Sequence, residues 1–375
     1  MAGVKILHTG DFHIGSSRSG ISSGRAELKN TFIKVVNICK EEKIDFLLIA
    51  GDLFDTPFPD NETSDEIIEA MSQIPDTVIA ISPGNHDYVC PGSVWLKNKF
   101  PENVVIFTSF IESFDFEEKN VRLFGAAFTD RFERIPLLTA NLSLNENMIN
   151  LCVLHGQTVS ALGESEYNPI SVNSIVDCGF DYLALGHVHK RSEIQKSGNT
   201  FYSYCGCPDG RGFDEDGSRG VYIGTVEKGK CNLEYTELST RQYIIESLDI
   251  SGCETTNQIS AEILSYIKEK YSGTYKNNLY RISLYGAVSA DFTPDIVRIE
   301  GSLKDEVAYI RVYDDTEATL ENISDLASES SFRGIFVQKL LEMQNTADNA
   351  NKDLYIKALR LGLKAFEREV TLGDN

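Results

Sequence analysis

Runs of apolar residues that end directly in short polar clusters recur over the first 190 residues and constrain the fold more than any other feature. The polar clusters are DFHIG, GDLFD, GNHDY, the pair HG at 155–156, and GHVHK. Continuous apolar runs between helical stretches are typical of strands in a sheet that is covered on both faces. The carboxyl ends of such strands meet at one edge, where α/β folds gather their ligand sites. The sequence therefore predicts an α/β fold that brings these clusters together.

The apolar spacing predicts two folded parts and a C-terminal segment. Residues 1–239 are predicted to hold strands over 4–8, 45–52, 77–82, 150–156 and 181–187, with helices over 25–42 and 63–73. Residues 240–344 are predicted to form a smaller α+β domain with strands over 243–250, 278–288 and 306–314 and helices near 256–270, 292–300 and 331–344. Residues 345–375 form a predicted polar helical segment.

Charge and cysteine usage restrict the class of protein and its compartment. The formal net charge of −21 argues against a broadly basic nucleic-acid-binding surface, so any DNA contact is expected at a local basic rim or at metal ions. The eight cysteines are scattered without a C-x-x-C pair, and we find neither a secretory signal pattern nor a run of membrane-spanning length. We therefore expect a cytoplasmic protein with reduced thiols and no membrane partner.

Nine polar residues stand at the predicted strand ends, and they include five of the six histidines of the chain: Asp11, His13, Asp52, Asn85, His86, Asp87, His155, His187 and His189. Each one alone is compatible with a turn or a helix cap. Imidazole and oxygen ligands without thiolate suit Mn, Fe, Zn or Ni. Seven potential metal ligands among these nine residues are too many for one tetrahedral zinc ion and indicate two ions.

The spacing within two of the clusters also indicates two ions. D-x-H at 11–13 and H-x-H at 187–189 each separate their members by two residues, which is roughly 6.6 Å in extended chain. Two-metal sites hold their ions about 3.5–4 Å apart. Each pair can therefore face one cavity while its members reach different ions. We interpret Gly186, which precedes the second pair, as the residue that lets the chain turn out of its strand.

The order D-x-H, G-D, G-N-H-D, H and G-H-x-H resembles the calcineurin-like metallophosphoesterase superfamily. Within it, LHTGDFHIG, LIAGDLFDT, GNHDY and the later YSYCGCPDGRGFDE are similar to the SbcD-type nucleases of double-strand-break repair. The resemblance implies a four-layer α-β-β-α sandwich over 1–239 and a smaller α+β capping, DNA-binding domain over 240–344. It also implies two divalent metal ions, most often Mn²⁺, with Fe, Zn or Ni as alternatives.

Carried over residue by residue, the resemblance implies a role for each candidate ligand. One ion is expected at Asp11, His13 and His189, the other at Asn85, His155 and His187, and Asp52 is expected to bridge them. The resemblance thus divides the members of H-x-H between two ions but places both members of D-x-H on one. His86 matches the histidine that stabilises the transition state or protonates the leaving oxygen, and Asp87 is expected to orient it. The attacking hydroxide is expected to come from the metal pair. The sixth histidine, His8, lies inside a strand and is expected to be structural.

The resemblance further implies a Mn-dependent DNA exonuclease and endonuclease that forms a homodimer and binds an SbcC-type ABC ATPase through its C-terminal part. Arg211 and Arg191 are candidate phosphate contacts, with solvated loop charge as the alternative. Two other functions stay open. One is a metallophosphoesterase acting on a small nucleotide or phosphomonoester. The other is a non-catalytic scaffold, which the presence of every ligand together with His86 disfavours.

Overall fold

The structure is a computed structural model that describes residues 3–20, 24–139, 142–161, 163–239, 241–289, 292–318 and 323–346, with scattered residues between 354 and 366. The chain divides into two compact units, Met1–Gln242 and Tyr243–Asn375. Within the described ranges, no helix combines the length and apolarity needed to cross a membrane. Most of the predicted C-terminal segment, 345–375, lies outside the described residues.

The first unit alternates strands and helices. Its strands are β1 (Val4–Thr9), β2 (Phe46–Ile49), β3 (Val78–Ile81), β4 (Val104–Ile106), β5 (Glu112–Phe116), β6 (Val121–Gly125), β7 (Ile149–His155), β8 (Gln157–Val159), β9 (Pro169–Ser171), β10 (Tyr182–Gly186), β11 (Gln195–Ser197), β12 (Thr200–Tyr204), β13 (Gly220–Glu227) and β14 (Lys230–Glu237). Its helices are α1 (Gly24–Glu42), α2 (Asn61–Ser72), α3 (Val94–Lys97) and α4 (Val172–Cys178). The strands and helices predicted in this part are confirmed, with bounds that differ by a few residues at most.

Two six-stranded sheets form the centre of this unit. The first has the order β14-β13-β1-β2-β3-β4, and β1 to β4 run parallel. The second has the order β11-β12-β10-β7-β6-β5, and β12, β10, β7 and β6 run parallel. The parallel strands therefore end at one edge in each sheet.

Side-chain alternation covers both faces of the second sheet. Leu151 and Val153 of β7 join the core that includes the first sheet, whereas the intervening Cys152 and Leu154 pack with residues of α4 such as Ile175. Successive side chains of a strand point to opposite faces, which explains this division. Helices α1 and α2 pack against the first sheet. The predicted four-layer α-β-β-α sandwich is thereby confirmed.

Helix α1 illustrates how the sequence forms the outer layers. Its buried apolar residues recur every three or four positions, at Leu28, Phe32, Val35 and Cys39, so one face of the helix packs on the sheet. Helix α2 begins after Asp60, whose carboxylate accepts the backbone N–H of Thr63 at 2.8 Å. Such a cap satisfies a backbone donor that the first turn leaves unpaired.

The second unit is built around three parallel strands in the order β15-β16-β18. Its elements are β15 (Tyr243–Asp249), α5 (Thr256–Lys270), β16 (Leu279–Tyr285), β17 (Ala287–Val288), α6 (Ile296–Leu303), β18 (Tyr309–Asp314), β19 (Glu317–Ala318), α7 (Ile323–Ser328) and α8 (Phe332–Thr346). The apolar faces of α5 and α6 form one core with the strands, through residues such as Ile263, Ile299 and Ile282.

Candidate metal centre

Loops at the carboxyl ends of five parallel strands carry the candidate side chains. Asp11 and His13 follow β1, Asp52 follows β2, Asn85, His86 and Asp87 follow β3, His155 ends β7, and His187 and His189 follow β10. Four of them have positive φ: Asp11 (52°), His13 (49°), Asp52 (48°) and His187 (95°). Positive φ in a non-glycine residue costs about 1–3 kcal/mol and concentrates at functional sites, because surrounding structure must hold it there.

One group of ligand atoms comes from Asp11, His13 and His189. Nε2 of His13 lies 3.2 Å from Nε2 of His189, and Oδ1 of Asp11 lies 4.0 Å from the latter atom. A carboxylate or imidazole atom from each of the three residues lies within 4.8 Å of the others. The Asp11 carboxylate also accepts the backbone N–H of His187 at 3.0 Å, which ties the first strand end to the last.

A second group comes from Asn85, His155 and His187. Oδ1 of Asn85 lies 2.9 Å from Nε2 of His155 and 3.1 Å from Nδ1 of His187. Nδ1 of His155 lies 2.9 Å from the carbonyl oxygen of Ala50. Because a carbonyl only accepts, that nitrogen carries the proton, and Nε2 keeps its lone pair for the site.

Asp52 stands between the two groups. Its Oδ2 lies 3.6 Å from Nε2 of His13 and 3.5 Å from Nε2 of His155. Its Oδ1 accepts the backbone N–H of His86 at 2.8 Å, which fixes the direction of the carboxylate. One oxygen that is nearly equidistant from both groups is suited to bridge two ions.

The distances test whether the residues fit metal ions. Two ligands that each lie about 2.1 Å from one ion are about 3.0–3.4 Å apart in octahedral or tetrahedral geometry. Three contacts of 2.9–3.2 Å within the two groups match this separation, whereas Oδ1 of Asp11 and Nε2 of His189 lie 4.0 Å apart. The donors are imidazole, carboxylate and amide, which suit divalent ions such as Mn, Fe, Zn or Ni. The residues fit two divalent ions, and the assignment of each ligand to one ion stays a prediction.

Two carboxylates that the sequence analysis did not single out hold histidines of the first group. Oδ1 of Asp55 lies 3.1 Å from Nδ1 of His13, and Oε1 of Glu215 lies 2.7 Å from Nδ1 of His189. Such hydrogen bonds fix the tautomer that leaves Nε2 free to coordinate and make that nitrogen more basic. Asp55 belongs to GDLFD and Glu215 to GRGFDE, stretches that the sequence analysis quotes, but no pattern within them pairs either carboxylate with a histidine.

The ionisation states of Asp52 and His187 favour cation binding. Burial opposes ionisation of Asp52, but the nearby His155 and His13 outweigh it and lower the pKa of its carboxyl to about 2. Burial lowers the pKa of His187 to about 3. Burial also opposes ionisation of Glu215, yet its hydrogen bonds with His189 and Arg211 hold its pKa well below the usual range. Metals bind carboxylates and neutral imidazoles, and at neutral pH Asp52 is present as the carboxylate and His187 as the neutral imidazole. Burial opposes protonation of His189, but its hydrogen bond with Glu215 outweighs burial and raises its pKa.

His86 lies at the open side of the site, with its side chain 35% exposed. Its ring centroid lies 4.5 Å from that of His13, and its Nδ1 lies 3.6 Å from Oδ1 of Asp55. Burial lowers the pKa of His86. The imidazole is therefore beside the ligand atoms and accessible to a substrate.

Asp87 has a different environment from the one expected for a residue that orients His86. Its two carboxylate oxygens accept the backbone N–H groups of Gly84 at 2.8 Å and Phe54 at 3.1 Å, and its carbonyl accepts Nε1–H of Trp95. Asp87 thus fixes the loop that carries the histidine. The carboxylates of Asp52 and Asp55 also lie near the His86 ring, and Oδ1 of Asp55 is 3.6 Å from Nδ1.

The two candidate phosphate contacts lie at different places. Nη2 of Arg211 lies 2.8 Å from Oε1 of Glu215, and its Nη1 lies 3.8 Å from Oδ1 of Asp55, so this guanidinium stands at the edge of the first group. Arg191 lies over the ring of Tyr235 at 4.4 Å and lines a neighbouring cavity of ≈ 380 Å³ that His189 also lines. Contact of either arginine with phosphate stays a prediction.

His8 is outside both groups, as predicted. Its Nδ1 lies 2.8 Å from the Tyr182 hydroxyl and its Nε2 lies 3.2 Å from the carbonyl oxygen of Leu185. The carbonyl requires a proton on Nε2, so Nδ1 accepts from the tyrosine. His8 therefore links the two sheets within the core.

The model of one family, the calcineurin-like phosphoesterases, matches residues 4–191, half of the chain and the part that holds all nine candidate residues. The chain belongs to the calcineurin-like phosphoesterase family. This family is hydrolytic and metal-dependent and uses two divalent ions. The match ends before Arg211 and Glu215, so their place beside the centre is known from the structure of this chain alone.

Three proteins from different organisms are similar in sequence to this chain. An uncharacterized metallophosphoesterase YhaO of Bacillus subtilis is 27% identical over 246 residues, which is 62% of this chain and 60% of that protein. The DNA double-strand break repair protein Mre11 of Saccharolobus solfataricus is 23% identical over 369 residues, 93% of each chain. A component of the nuclease SbcCD of Staphylococcus epidermidis is 24% identical over 319 residues, 75% of this chain and 79% of that protein.

Close backbone approach explains two glycines of this phosphoesterase domain. A Cβ on Gly84 would lie 2.3 Å from Oδ1 of Asp52, and a Cβ on Gly186 would lie 1.8 Å from the carbonyl oxygen of Ala50. In the cluster GHVHK the residue with a positive φ is His187, and Gly186 is not among the glycines with positive φ. The interpretation of Gly186 as the turning residue is therefore wrong: it is needed because the ends of β10 and β2 touch.

Proposed function

We propose that this phosphoesterase is a two-metal phosphodiesterase that cleaves DNA, a Mn-dependent exonuclease and endonuclease of the SbcD type acting in DNA repair. The observation that carries the two-metal part is the position of Asp52 Oδ2 between two separate groups of ligand atoms. The DNA substrate is supported by relatives that are named a DNA double-strand break repair protein and a nuclease, one of which aligns with 93% of the chain.

Two bound divalent ions would neutralise the phosphoryl oxygens and supply hydroxide near neutral pH. The residues of this chain hold and orient the groups around that chemistry. Asp55, Glu215 and the Ala50 carbonyl each accept a hydrogen bond from Nδ1–H of one histidine and so aim the opposite nitrogen into the site. In this proposal no side chain acts as a nucleophile.

His86 is proposed to protonate the leaving oxygen or to stabilise the charge that develops on it. Its side chain is accessible, adjacent to His13 and near the carboxylate of Asp55, which would stabilise a protonated imidazole. Asp87 is proposed to act indirectly, by holding the backbone on either side of the loop through Gly84 and Phe54.

DNA binding by a chain with a net charge of −21 requires local cations. Arg211 at the rim of the centre and Arg191 beside the neighbouring cavity are proposed to contact phosphates. A homodimer and an ABC ATPase of the SbcC type are the proposed protein partners, in line with the name of the SbcCD relative. The acidic balance favours a second candidate function, hydrolysis of a small nucleotide or phosphomonoester.

The test is a Mn²⁺-dependent digestion series on single-stranded, blunt and hairpin DNA, beside bis(p-nitrophenyl) phosphate. Cleavage of DNA and of the small diester is expected, and both activities are expected to disappear with chelator. Cleavage of the small ester alone would replace the nuclease with a small-substrate phosphoesterase. Absence of bound transition metal and of every activity would instead support the scaffold.

A further inference from the structure

We propose that Arg18 and Asp209, which belong to neither group of ligands, are positioning residues of the candidate centre. Their buried ion pair clamps the loop 205–219, which joins β12 to β13 and carries the Glu215 carboxylate that holds His189. The inference rests on the proposed two-metal phosphodiesterase. It goes beyond that proposal, since it concerns how a distant part of the chain keeps one ligand in place.

The clamp is a bidentate ion pair that solvent hardly reaches. Nη1 and Nη2 of Arg18 donate to the two carboxylate oxygens of Asp209 at 3.1 and 3.0 Å, and the two side chains are 0% and 2% exposed. The Thr31 hydroxyl of α1 donates to the same carboxylate at 2.9 Å. Nη1 of Arg18 also donates to Glu27 of that helix at 2.9 Å. Asp209 is therefore fixed against both the segment after β1 and helix α1.

A buried ion pair selects one arrangement of the chain more than it adds stability. The cost of taking two charges out of water offsets most of their attraction, but an arrangement that leaves either charge buried and unpaired is strongly disfavoured. The loop 205–219 needs such a selection, because it contains four glycines and neither helix nor strand. The arrangement that brings Asp209 to Arg18 pairs both charges.

The clamped loop reaches the ligands two to six residues after Asp209. The backbone carbonyl of Arg211 accepts the N–H of Ser19 at 2.8 Å, so a second contact joins the same two segments. The backbone N–H of Arg211 donates to Oε2 of Glu215 at 2.7 Å. Oε1 of Glu215 lies 2.7 Å from Nδ1 of His189. Release of the clamp therefore displaces the carboxylate that orients this histidine.

The test is a double-mutant cycle between Asp209→Asn and Glu215→Gln in the full chain. Mn²⁺ affinity by calorimetry, kcat/KM for bis(p-nitrophenyl) phosphate and Tm are measured for each protein. Glu215→Gln should weaken Mn²⁺ binding by about 10–100-fold, and Asp209→Asn by about tenfold, the lower end of the range for groups behind a ligand. In the Glu215→Gln background, Asp209→Asn should change the affinity by less than about twofold, because it acts through the carboxylate already removed.

Asp181→Asn is the matched control. The Asp181 side chain is 6% exposed and lies 3.3 Å from Nζ of Lys228, and it precedes β10, at the opposite end of that strand from the ligands. The control should lower Tm, as Asp209→Asn does, and leave Mn²⁺ affinity and kcat/KM as in the wild type. If Asp209→Asn does not fold, as judged by circular dichroism, Thr31→Val removes one hydrogen bond to the same carboxylate without changing charge.

Two results would overturn the inference. One is wild-type Mn²⁺ affinity and kcat/KM in a folded Asp209→Asn protein. The other is an undiminished effect of Asp209→Asn in the Glu215→Gln background, which would show that the ion pair acts on stability alone. A wild-type chain that cleaves no phosphodiester would instead contradict the proposed function, and the Mn²⁺ affinities of the cycle would still decide the role of the clamp. Absence of Mn²⁺ binding by the wild type would refute both.

Discussion

Replacement of Gly186 by alanine tests whether the contact between the two strand ends sets the geometry of the site. The new Cβ would lie 1.8 Å from the carbonyl oxygen of Ala50. A carbon and a carbonyl oxygen need roughly 3.3 Å, so the ends of β10 and β2 must separate by about 1.5 Å. The same carbonyl accepts a hydrogen bond from Nδ1–H of His155, and His187 is the next residue after the substitution. The displacement therefore falls on the second group of ligands.

The magnitude follows from this displacement. A misplacement of about 1 Å in a site costs roughly 100-fold in rate, which corresponds to about 2.7 kcal/mol. Forcing an extra methyl group into a packed position costs about 1–3 kcal/mol of unfolding free energy. At about 2–4 °C per kcal/mol for a unit of this size, Tm should fall by about 2–12 °C.

The assay for Gly186→Ala is kcat/KM for bis(p-nitrophenyl) phosphate at saturating Mn²⁺, with Tm and metal content measured on the same sample. Gly273→Ala is the control, because a Cβ at that glycine meets nothing within 4 Å. Wild-type kcat/KM and metal content in a folded Gly186→Ala protein would refute the argument from close approach.

Three further predictions concern single residues. His86→Ala should leave metal content near normal and remove most phosphodiesterase activity; retained activity would contradict its role at the leaving oxygen. Asp52→Ala should lose both ions or their cooperation, and elemental analysis that finds two tightly held ions would rule out the bridge. Burial lowers the pKa of His8 to about 3, below its value of 6.5 in the unfolded chain. The unfolded state therefore binds the extra proton, and wild-type stability falls as pH drops from about 6.5 towards 3. His8→Gln removes this group, so its unfolding free energy should decline less steeply, by up to about 1.4 kcal/mol per pH unit. Urea unfolding of both proteins between pH 4.5 and 7 measures the two slopes, and identical slopes would refute the linkage.

The sequence was most informative where burial leaves a simple pattern. Strands β2, β3 and β10 are buried along their whole length, so each reads as a continuous apolar run that ends at a polar cluster. The edge hairpin of β13 and β14 was not predicted from the sequence. In β14 half-buried and exposed residues alternate without a strong apolar signal, and its pairing with β13 depends on contacts that no local pattern reveals.

Asp55 and Glu215, whose carboxylates hydrogen-bond to histidines of the first group, could not be identified from the sequence for a related reason. His13 and Asp55 are 42 positions apart, and His189 and Glu215 are 26 apart. Acidic residues are abundant in this chain, 56 in all, so an aspartate or glutamate in a loop carries little information by itself. Only the fold selects which carboxylate meets which histidine. The resemblance implies that Asp87 orients His86, whereas its carboxylate accepts the backbone N–H groups of Gly84 and Phe54.

Backbone hydrogen bonds across the strand ends explain how four ligand positions keep unfavourable φ angles. The N–H groups of Asp11 and His13 donate to the carbonyls of Gly51 and Asp52 at 2.9 Å, so the loops after β1 and β2 are paired with each other. The backbone N–H of His187 donates to the Asp11 carboxylate, which joins the other sheet to this pair. Each contact is made by protein atoms alone. Together these hydrogen bonds hold the loops that carry the ligand atoms.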